Sequence, residues 1–270
     1  MSLSTGLGAE LARLGAALVP LWAGAALAMA WGWRWQQRRA NAGIVDVLWS
    51  ACLAAGAVVL AWRGAGAPAN RWALALLGGA WGLRLALYLW ARVRHEAEDG
   101  RYRQLRAHWH GDARKFFLFF QFQALLVPLF ALPFAVVAGN ARVHPAAYAV
   151  AVVVWAASVA GEASADRQLA RFRADPANRG RTCRQGWWRY SRHPNYFFEW
   201  LHWFTYVALA VGAAHGWLAL SGPVVMYVFL RWVSGIPFTE AQALRTRGED
   251  YRDYQRRTPL LIPWFPKEST

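Results

Sequence analysis

The sequence predicts an all-α integral membrane protein with about seven transmembrane helices. The apolar residues come in blocks of about 20, the length of a helix that crosses a bilayer. Hydrophobic residues make up 57% of the chain and charged residues only 17%, against about 25% charged in an ordinary soluble domain. This composition excludes a disordered chain, and two cysteines in 270 residues exclude a disulfide scaffold.

The hydrophobic blocks define the predicted topology. We expect one membrane domain over residues 1–270. The predicted spans are residues 7–33, 43–62, 71–92, 115–138, 145–165, 195–214 and 216–236. Pro194 suits the first position of the sixth helix, where the missing N–H costs nothing.

The 30 Lys and Arg residues are distributed unevenly between the two sides of this topology. With strict alternation, 24 lie on one side and four on the other, while Arg84 and Arg231 lie within spans. Because basic loops stay cytoplasmic, the N-terminus is predicted outside and the C-terminus inside. The net charge of +15 then reflects topology and attraction to anionic lipid rather than nucleic acid binding. Lysine occurs only at Lys115 and Lys267, and this bias toward arginine points to a GC-rich bacterium. We therefore expect the protein in the bacterial cytoplasmic membrane.

Ionisable side chains in the first half of the chain mark one candidate site, because such groups are costly inside a bilayer. Asp46, Trp49 and Ser50 share one helix face in the second span, and Arg84 and Tyr88 share one in the third. An ion pair between Asp46 and Arg84 that merely locks two helices is the alternative.

A second group of polar residues lies in the fifth and sixth spans. Asn195, Glu199 and His202 are spaced four and three apart, and no Lys or Arg in that span is placed to neutralise Glu199. Glu162 and Asp166 are four apart at the cytoplasmic end of the fifth span. His202 taken alone is better explained by a hydrogen bond between helices.

The segment 166–194 combines arginines with the start of the sixth helix. It contains Arg181, Arg184 and Arg192, and the arginine guanidinium suits bidentate contacts to phosphate. Together with the free N–H groups of a helix N-terminus, these residues predict an anion site for a polyphosphate cofactor. The sequence has no G-x-G-x-x-G fingerprint, no Walker A motif, no zinc-ligand spacing and no G-x-S-x-G.

Several motifs resemble those of one known family. They are CRQGWWRYSRHPNYFFEW over residues 183–200, SGIPFTE over 234–240, YRDYQRRTPLLIP over 251–263, and the shorter DVLWS, WGLR and EDGRY at 46–50, 81–84 and 98–102. Over residues of about 40 to 266, the chain closely resembles the DUF1295 family, which looks like a bacterial branch of the steroid 5-alpha-reductase superfamily.

The resemblance implies a seven-helix membrane reductase that uses NADPH on an activated C=C bond of an apolar, steroid-like or other lipid substrate. Residues of about 1–140 would then form the substrate side and about 141–270 the cofactor side. Asp46 and Tyr88 are the possible counterparts of the superfamily's catalytic Glu and Tyr. In the superfamily's Asn–Asp pair, Glu162 departs from the pattern and Asp166 matches it. The implied cofactor-binding residues are Asp166, Arg181, Arg184, Arg192, His193, Asn195, Tyr196, Glu199, Glu240 and Tyr251.

The expected mechanism places the nicotinamide between two side chains of similar depth. Glu199 would accept the carboxamide N–H groups, and Tyr88, assisted by a protonated Asp46, would donate to a substrate carbonyl. Two other readings stay open. The RHP-x-Y run followed by a Glu also resembles isoprenylcysteine-type and phospholipid methyltransferases that bind S-adenosylmethionine, and a non-enzymatic lipid-binding membrane protein is the third reading.

Overall fold

The computed structural model describes residues 3–267, and this part of the chain contains helices and turns but no strand. The α-helices are α1 (Leu3–Arg39), α2 (Ile44–Arg63), α3 (Pro68–His95), α4 (Gly100–His108), α5 (Ala113–Gly139), α6 (Pro145–Ala174), α7 (Trp187–Tyr190), α8 (Pro194–His202), α9 (Phe204–Leu209), α10 (Ser221–Val228), α11 (Ile236–Arg247) and α12 (Glu249–Arg257).

Six helical segments within residues 3–267 are long and apolar enough to cross a membrane. They are Leu11–Arg39, Ile44–Arg63, Pro68–His95, Ala113–Gly139, Pro145–Ala174 and Gly216–Arg247. The predicted class, an all-α polytopic membrane protein, is confirmed. The number of spans and the side on which each terminus lies remain predictions.

The sixth predicted span, residues 195–214, contains two helices, α8 and α9, of nine and six residues. Trp203 lies between them as a single turn residue with right-handed helical dihedral angles, φ −64° and ψ −21°. The first of these helices begins at Pro194, as predicted. Two segments between predicted spans are also helical: α1 continues to Arg39, and residues 93–114 contain the additional helix α4.

The chain divides into two compact units. Residues 1–147 with 206–222 form the first unit, and residues 148–205 with 223–270 form the second. The segment 206–222 belongs to the first unit although it lies between two segments of the second unit along the chain. The sequence did not indicate this arrangement.

In the first unit, α2 packs on α3, and α1 packs on α5. Small residues allow the close approach of α2 and α3, as is common between membrane helices. A Cβ on Gly82 would lie 3.0 Å from the Ala54 nitrogen and 3.0 Å from the Ser50 carbonyl oxygen, so any larger residue would push the helices apart.

The loops of the first unit meet at two opposite ends of its helices. At one end, Asn41 donates to the Val93 carbonyl, and the Ala42 amide donates to Glu98. At the other end, the Gly66 amide donates to the Ala138 carbonyl. The two arginine-rich segments 34–42 and 92–115 therefore share one end, as the alternation of the first four spans requires.

The second unit consists of α6, α8, α10, α11 and α12 with the loop that joins α6 to α8. The segment Phe229–Val233 between α10 and α11 is π-helical, a feature that is rare and frequently found near functional sites. At Gly161, α6 passes so close to the Phe198 ring on α8 that a Cβ would overlap it. This packing holds the first residues of α8 against α6.

Candidate functional site

The first candidate site is a polar cluster around Asp46, in the first turn of α2. The Tyr102 hydroxyl donates to Asp46 Oδ1 at 2.7 Å, and Arg101 Nη2 lies 3.2 Å from Asp46 Oδ2. Asp46 therefore has an ionic partner, Arg101, that helix spacing did not indicate. The role of Asp46 as an acid remains a prediction.

The tight turn between α3 and α4 brings Arg101 and Tyr102 to Asp46. Asp99 caps α4 by accepting from the Arg101 amide at 2.9 Å, and it also accepts from Arg101 Nε at 3.2 Å. Burial alone would raise the pKa of Asp99, but Arg101 and the backbone hydrogen bond outweigh it and the pKa is lowered. Burial and the neighbouring Asp46 raise the pKa of Tyr102 well above its ordinary value, so its hydroxyl stays protonated.

A second ion pair holds the same end of the first unit together. The Glu98 carboxylate accepts from Arg106 Nη2 at 2.7 Å and from the Ala42 amide at 2.7 Å, and it is almost fully buried. Arg106 also donates to Gln36 on α1. Tyr88, the predicted proton donor, is 43% exposed on α3, so its side chain is open to the surroundings of the first unit.

In the second unit, the Glu240 carboxylate is the centre of a polar cluster. Arg192 Nε lies 2.7 Å and His193 Nε2 3.3 Å from Glu240 Oε1. The Tyr251 hydroxyl donates to Oε1 at 3.3 Å, and Gln255 donates to Oε2 at 2.9 Å. Three other residues predicted to bind the cofactor therefore contact the Glu240 carboxylate: Arg192, His193 and Tyr251.

Backbone contacts fix the Arg192 and His193 end of the loop. Arg192 Nη1 donates to the Gln255 carbonyl at 2.7 Å, and its own amide donates to the Pro259 carbonyl. His193 is buried and its ring stacks on Tyr196 at 5.4 Å between centroids. Burial lowers the pKa of His193, although the hydrogen bond to Glu240 acts in the opposite direction.

Arg184 is held by two aspartates of α12. Its guanidinium lies 2.9 Å from Asp250 Oδ1 and 2.8 Å from Asp253 Oδ2, and Asp250 also accepts from the Thr182 amide at 2.7 Å. The Tyr254 hydroxyl donates to the carbonyls of Trp188 and Ser191. The loop between α6 and α8 is therefore attached to α12 at several points.

The residues at the start of α8 face α6. Asn195 Nδ2 donates to Asp166 Oδ1 at 3.1 Å, so the two positions that match the superfamily pattern are in direct contact. Asn195 Oδ1 accepts from the Tyr196 amide, and the Tyr196 hydroxyl lies 3.2 Å from the Thr239 hydroxyl. Glu199 is partly buried one turn further along α8.

Next to these pairs are donors that the protein leaves without hydrogen-bond acceptors. Among residues 3–267, the buried Thr182 hydroxyl and the buried Arg247 Nε have no hydrogen-bond partner. Arg173 and Arg247 both act electrostatically on the Cys183 thiol; burial raises its pKa, and the two guanidinium groups oppose that rise. Arg181 is exposed and forms no ion pair within the described part of the chain.

Arg101, Tyr102, Thr182 and Arg247 are among the cluster residues that were not predicted as site residues. The signal for Arg101 and Tyr102 was present in the EDGRY motif, but their pairing with Asp46 depends on the turn before α4. Thr182 and Arg247 carried no signal, because they are 65 positions apart along the chain. Arg184 and Arg192, predicted to bind phosphates, contact carboxylates in the structure, and their role toward a cofactor remains a prediction.

The fold and the two polar clusters define a polytopic helical membrane protein with an arginine-rich loop attached to its C-terminal helices. Residues 32–258, most of the chain, match the family described as protein of unknown function DUF1295, and the chain belongs to that family. Comparisons with curated proteins and with solved structures returned no match.

Proposed function

We propose that this protein is an NADPH-dependent membrane reductase of an activated C=C bond in an apolar substrate. The observation that carries the proposal is the set of unsatisfied donors in the second unit. A buried hydroxyl or guanidinium nitrogen without an acceptor costs about 1–3 kcal/mol. The Thr182 hydroxyl and Arg247 Nε are two such groups, and a phosphate supplies the missing acceptors.

Family membership and chemistry select the ligand. The DUF1295 family, linked broadly to steroid 5-alpha-reductase-like proteins, is compatible with a membrane enzyme. We assign the phosphates of the cofactor to Arg173, Arg181, Arg247 and Thr182. Arg184 and Arg192 become positioning residues, because their guanidinium groups already have carboxylate partners.

The contact between Asn195 and Asp166 supports a second part of the proposal. It orients α8 so that Glu199 follows one turn further from the loop. In the proposal, the Glu199 carboxylate accepts the carboxamide N–H groups and selects the face of the ring. The bound cofactor supplies a hydride, and these side chains only position it.

On the substrate side, the proposal separates two roles. Tyr88 donates a hydrogen bond to the substrate carbonyl, which stabilises negative charge on that oxygen when the β-carbon receives the hydride. The proton that reaches the α-carbon comes from water. Asp46 positions α4 through its contacts with Arg101 and Tyr102.

The test is a binding titration on purified full-length protein in detergent. NADPH, NADH and S-adenosylmethionine are titrated separately and followed by quenching of the Trp fluorescence. We expect saturable binding of NADPH with weaker binding of NADH. Consumption of NADPH with a 4-en-3-one steroid or another enone lipid then tests the reaction.

Arg247→Gln and Arg245→Gln form a matched pair for this titration. Both remove one charge from the end of α11, but Arg245 is exposed and bonded only to its own helix at Ala241. Loss of one charged hydrogen bond, about 1.5–3 kcal/mol, lowers NADPH affinity by roughly 10- to 150-fold for Arg247→Gln. Arg245→Gln should remain within about three-fold of wild type, since an exposed charge contributes little.

Two results would contradict the proposal. Binding of S-adenosylmethionine with methyl transfer to a lipid, and no binding of NADPH, would make the protein a methyltransferase. Binding of neither ligand would leave a non-enzymatic membrane protein. Equal affinities for NADPH in both arginine variants would place the phosphates away from Arg247.

A further inference from the structure

A groove on the first unit lies at the arginine-rich end of α1 and α5. Trp33, Arg114, Phe117 and Leu118 line it, and its volume is about 450 Å³. Trp33 Nε1 donates to the Ala113 carbonyl at 2.8 Å, and the Trp33 ring meets Phe117 edge to face at 5.2 Å. These contacts join α1 and α5 beside the groove.

Arg114 is the one charged residue among those that line this groove; its apolar atoms line the groove, and its guanidinium stands at the edge. It is exposed and forms no ion pair within residues 3–267. The nearest acidic residue along the chain, Asp112, accepts from the amides of Arg114 and Lys115 and caps α5. The backbone donors of this helix end are therefore already used, and the positive charge available to a ligand is that of the side chain.

Below the groove, α5 exposes a continuous apolar stripe. Leu118, Phe122, Leu125 and Leu129 are spaced four, three and four residues apart and are all exposed, so they lie on one helix face. Eleven residues of α-helix rise about 16 Å. Half of a hydrocarbon core about 30 Å thick is about 15 Å, so the stripe matches the length of one acyl chain in one leaflet.

We propose that this groove binds an anionic phospholipid of the leaflet at the arginine-rich end. Arg114 contacts the headgroup phosphate, Trp33 and Phe117 flank the glycerol region, and an acyl chain follows the stripe from Leu118 to Leu129. Basic pockets between transmembrane helices bind acidic headgroups in this way. The inference does not depend on the proposed reductase activity, because all of these residues belong to the first unit.

The experiment uses the full-length protein, delipidated in detergent, and native mass spectrometry. Phosphatidylglycerol and phosphatidylcholine of the same chain length are titrated into wild type and variants. Detergent removes the charged bilayer surface, so general attraction to a membrane does not contribute. We expect the protein to bind the first phosphatidylglycerol at least five-fold more tightly than phosphatidylcholine.

Arg114→Ala and Lys115→Ala are the matched pair. Both remove one exposed positive charge in the first turn of α5, but only Arg114 lines the groove. Arg114→Ala should weaken phosphatidylglycerol binding about ten-fold and abolish the preference over phosphatidylcholine, while Lys115→Ala stays within two-fold of wild type. Equal losses in the two variants, or no preference in wild type, would overturn the proposal.

The acyl-chain part has its own test. Leu118→Trp fills the groove, and Leu83→Trp adds the same bulk at an exposed position of α3. Only Leu118→Trp should lower the occupancy of phosphatidylglycerol. If both variants retain it equally, the lipid does not lie in the groove. Titration with inorganic phosphate separates the headgroup from a free anion, since phosphate alone should not bind at millimolar concentration.

Discussion

Glu240→Gln tests whether one carboxylate holds the loop between α6 and α8 to the C-terminal helices. The substitution keeps the shape of the side chain but removes its charge. Glu240 then loses its ion pair with Arg192 at 2.7 Å. The two side chains are only 17% and 12% exposed, so little water is available to replace the lost charge.

The size of the effect follows from these contacts. Breaking a buried ion pair by removing one partner costs about 3–5 kcal/mol. Arg192 keeps its hydrogen bonds to the carbonyls of Gln255 and Thr258, at 2.7 and 3.3 Å, so part of its charge remains compensated. We therefore expect a loss of about 2–3 kcal/mol, which lowers Tm by about 5–10 °C in a chain of this size.

The assay is thermal unfolding of the purified protein in detergent, with Glu249→Gln as the control. Glu249 also pairs with an arginine, Arg252, but the pair is exposed on α12, and such pairs contribute about 0–1 kcal/mol. Its Tm should fall by less than 2 °C. A Tm of Glu240→Gln within 1 °C of wild type would show that the cluster does not hold the loop.

The other predictions concern pH, chemistry and topology. Burial lowers the pKa of His193 in the folded protein. Its contribution to stability is therefore present above the unfolded pKa of about 6.5 and is lost as the pH falls through the lower folded value. Tm measured from pH 7.5 to 5 should decline, and His193→Gln should reduce that decline. Tyr88→Phe should reduce turnover of an enone about 10²-fold with unchanged NADPH affinity, and normal turnover of this variant would show that the Tyr88 hydroxyl has no part in the mechanism. Tyr102→Phe should lower Tm, because it removes the hydroxyl bonded to Asp46. Alkaline phosphatase fused after the C-terminus should be inactive, and strong activity would reverse the predicted orientation.

The class of the fold could be predicted from the sequence because membrane helices are encoded by local composition. Apolar blocks of about 20 residues identify spans without any knowledge of their packing. The division of the segment 195–214 into α8 and α9 was not predictable from its apolar content. Trp203, the residue between the two helices, is fully buried, and local hydropathy does not report such packing.

Contacts between distant residues of the site could not be predicted from the sequence. The family pattern named Asn195 and Asp166 separately, and the structure places the two side chains 3.1 Å apart. The partner of Asp46 was not predictable from helix spacing, because Arg101 reaches it through the turn capped by Asp99. Arginines near a helix start predicted an anion site, but composition does not indicate which of them are already paired.

The charges of the loop determine which arginines remain for a ligand. Asp250 and Asp253 neutralise Arg184, and Glu240 neutralises Arg192, so these two arginines shape the loop. Among the described residues, Arg181 and Arg247 form no ion pair, and the Arg247 Nε is buried without an acceptor. A folded protein rarely leaves a buried guanidinium nitrogen unsatisfied. In the proposed function, the phosphates of the cofactor supply the acceptor that Arg247 Nε lacks.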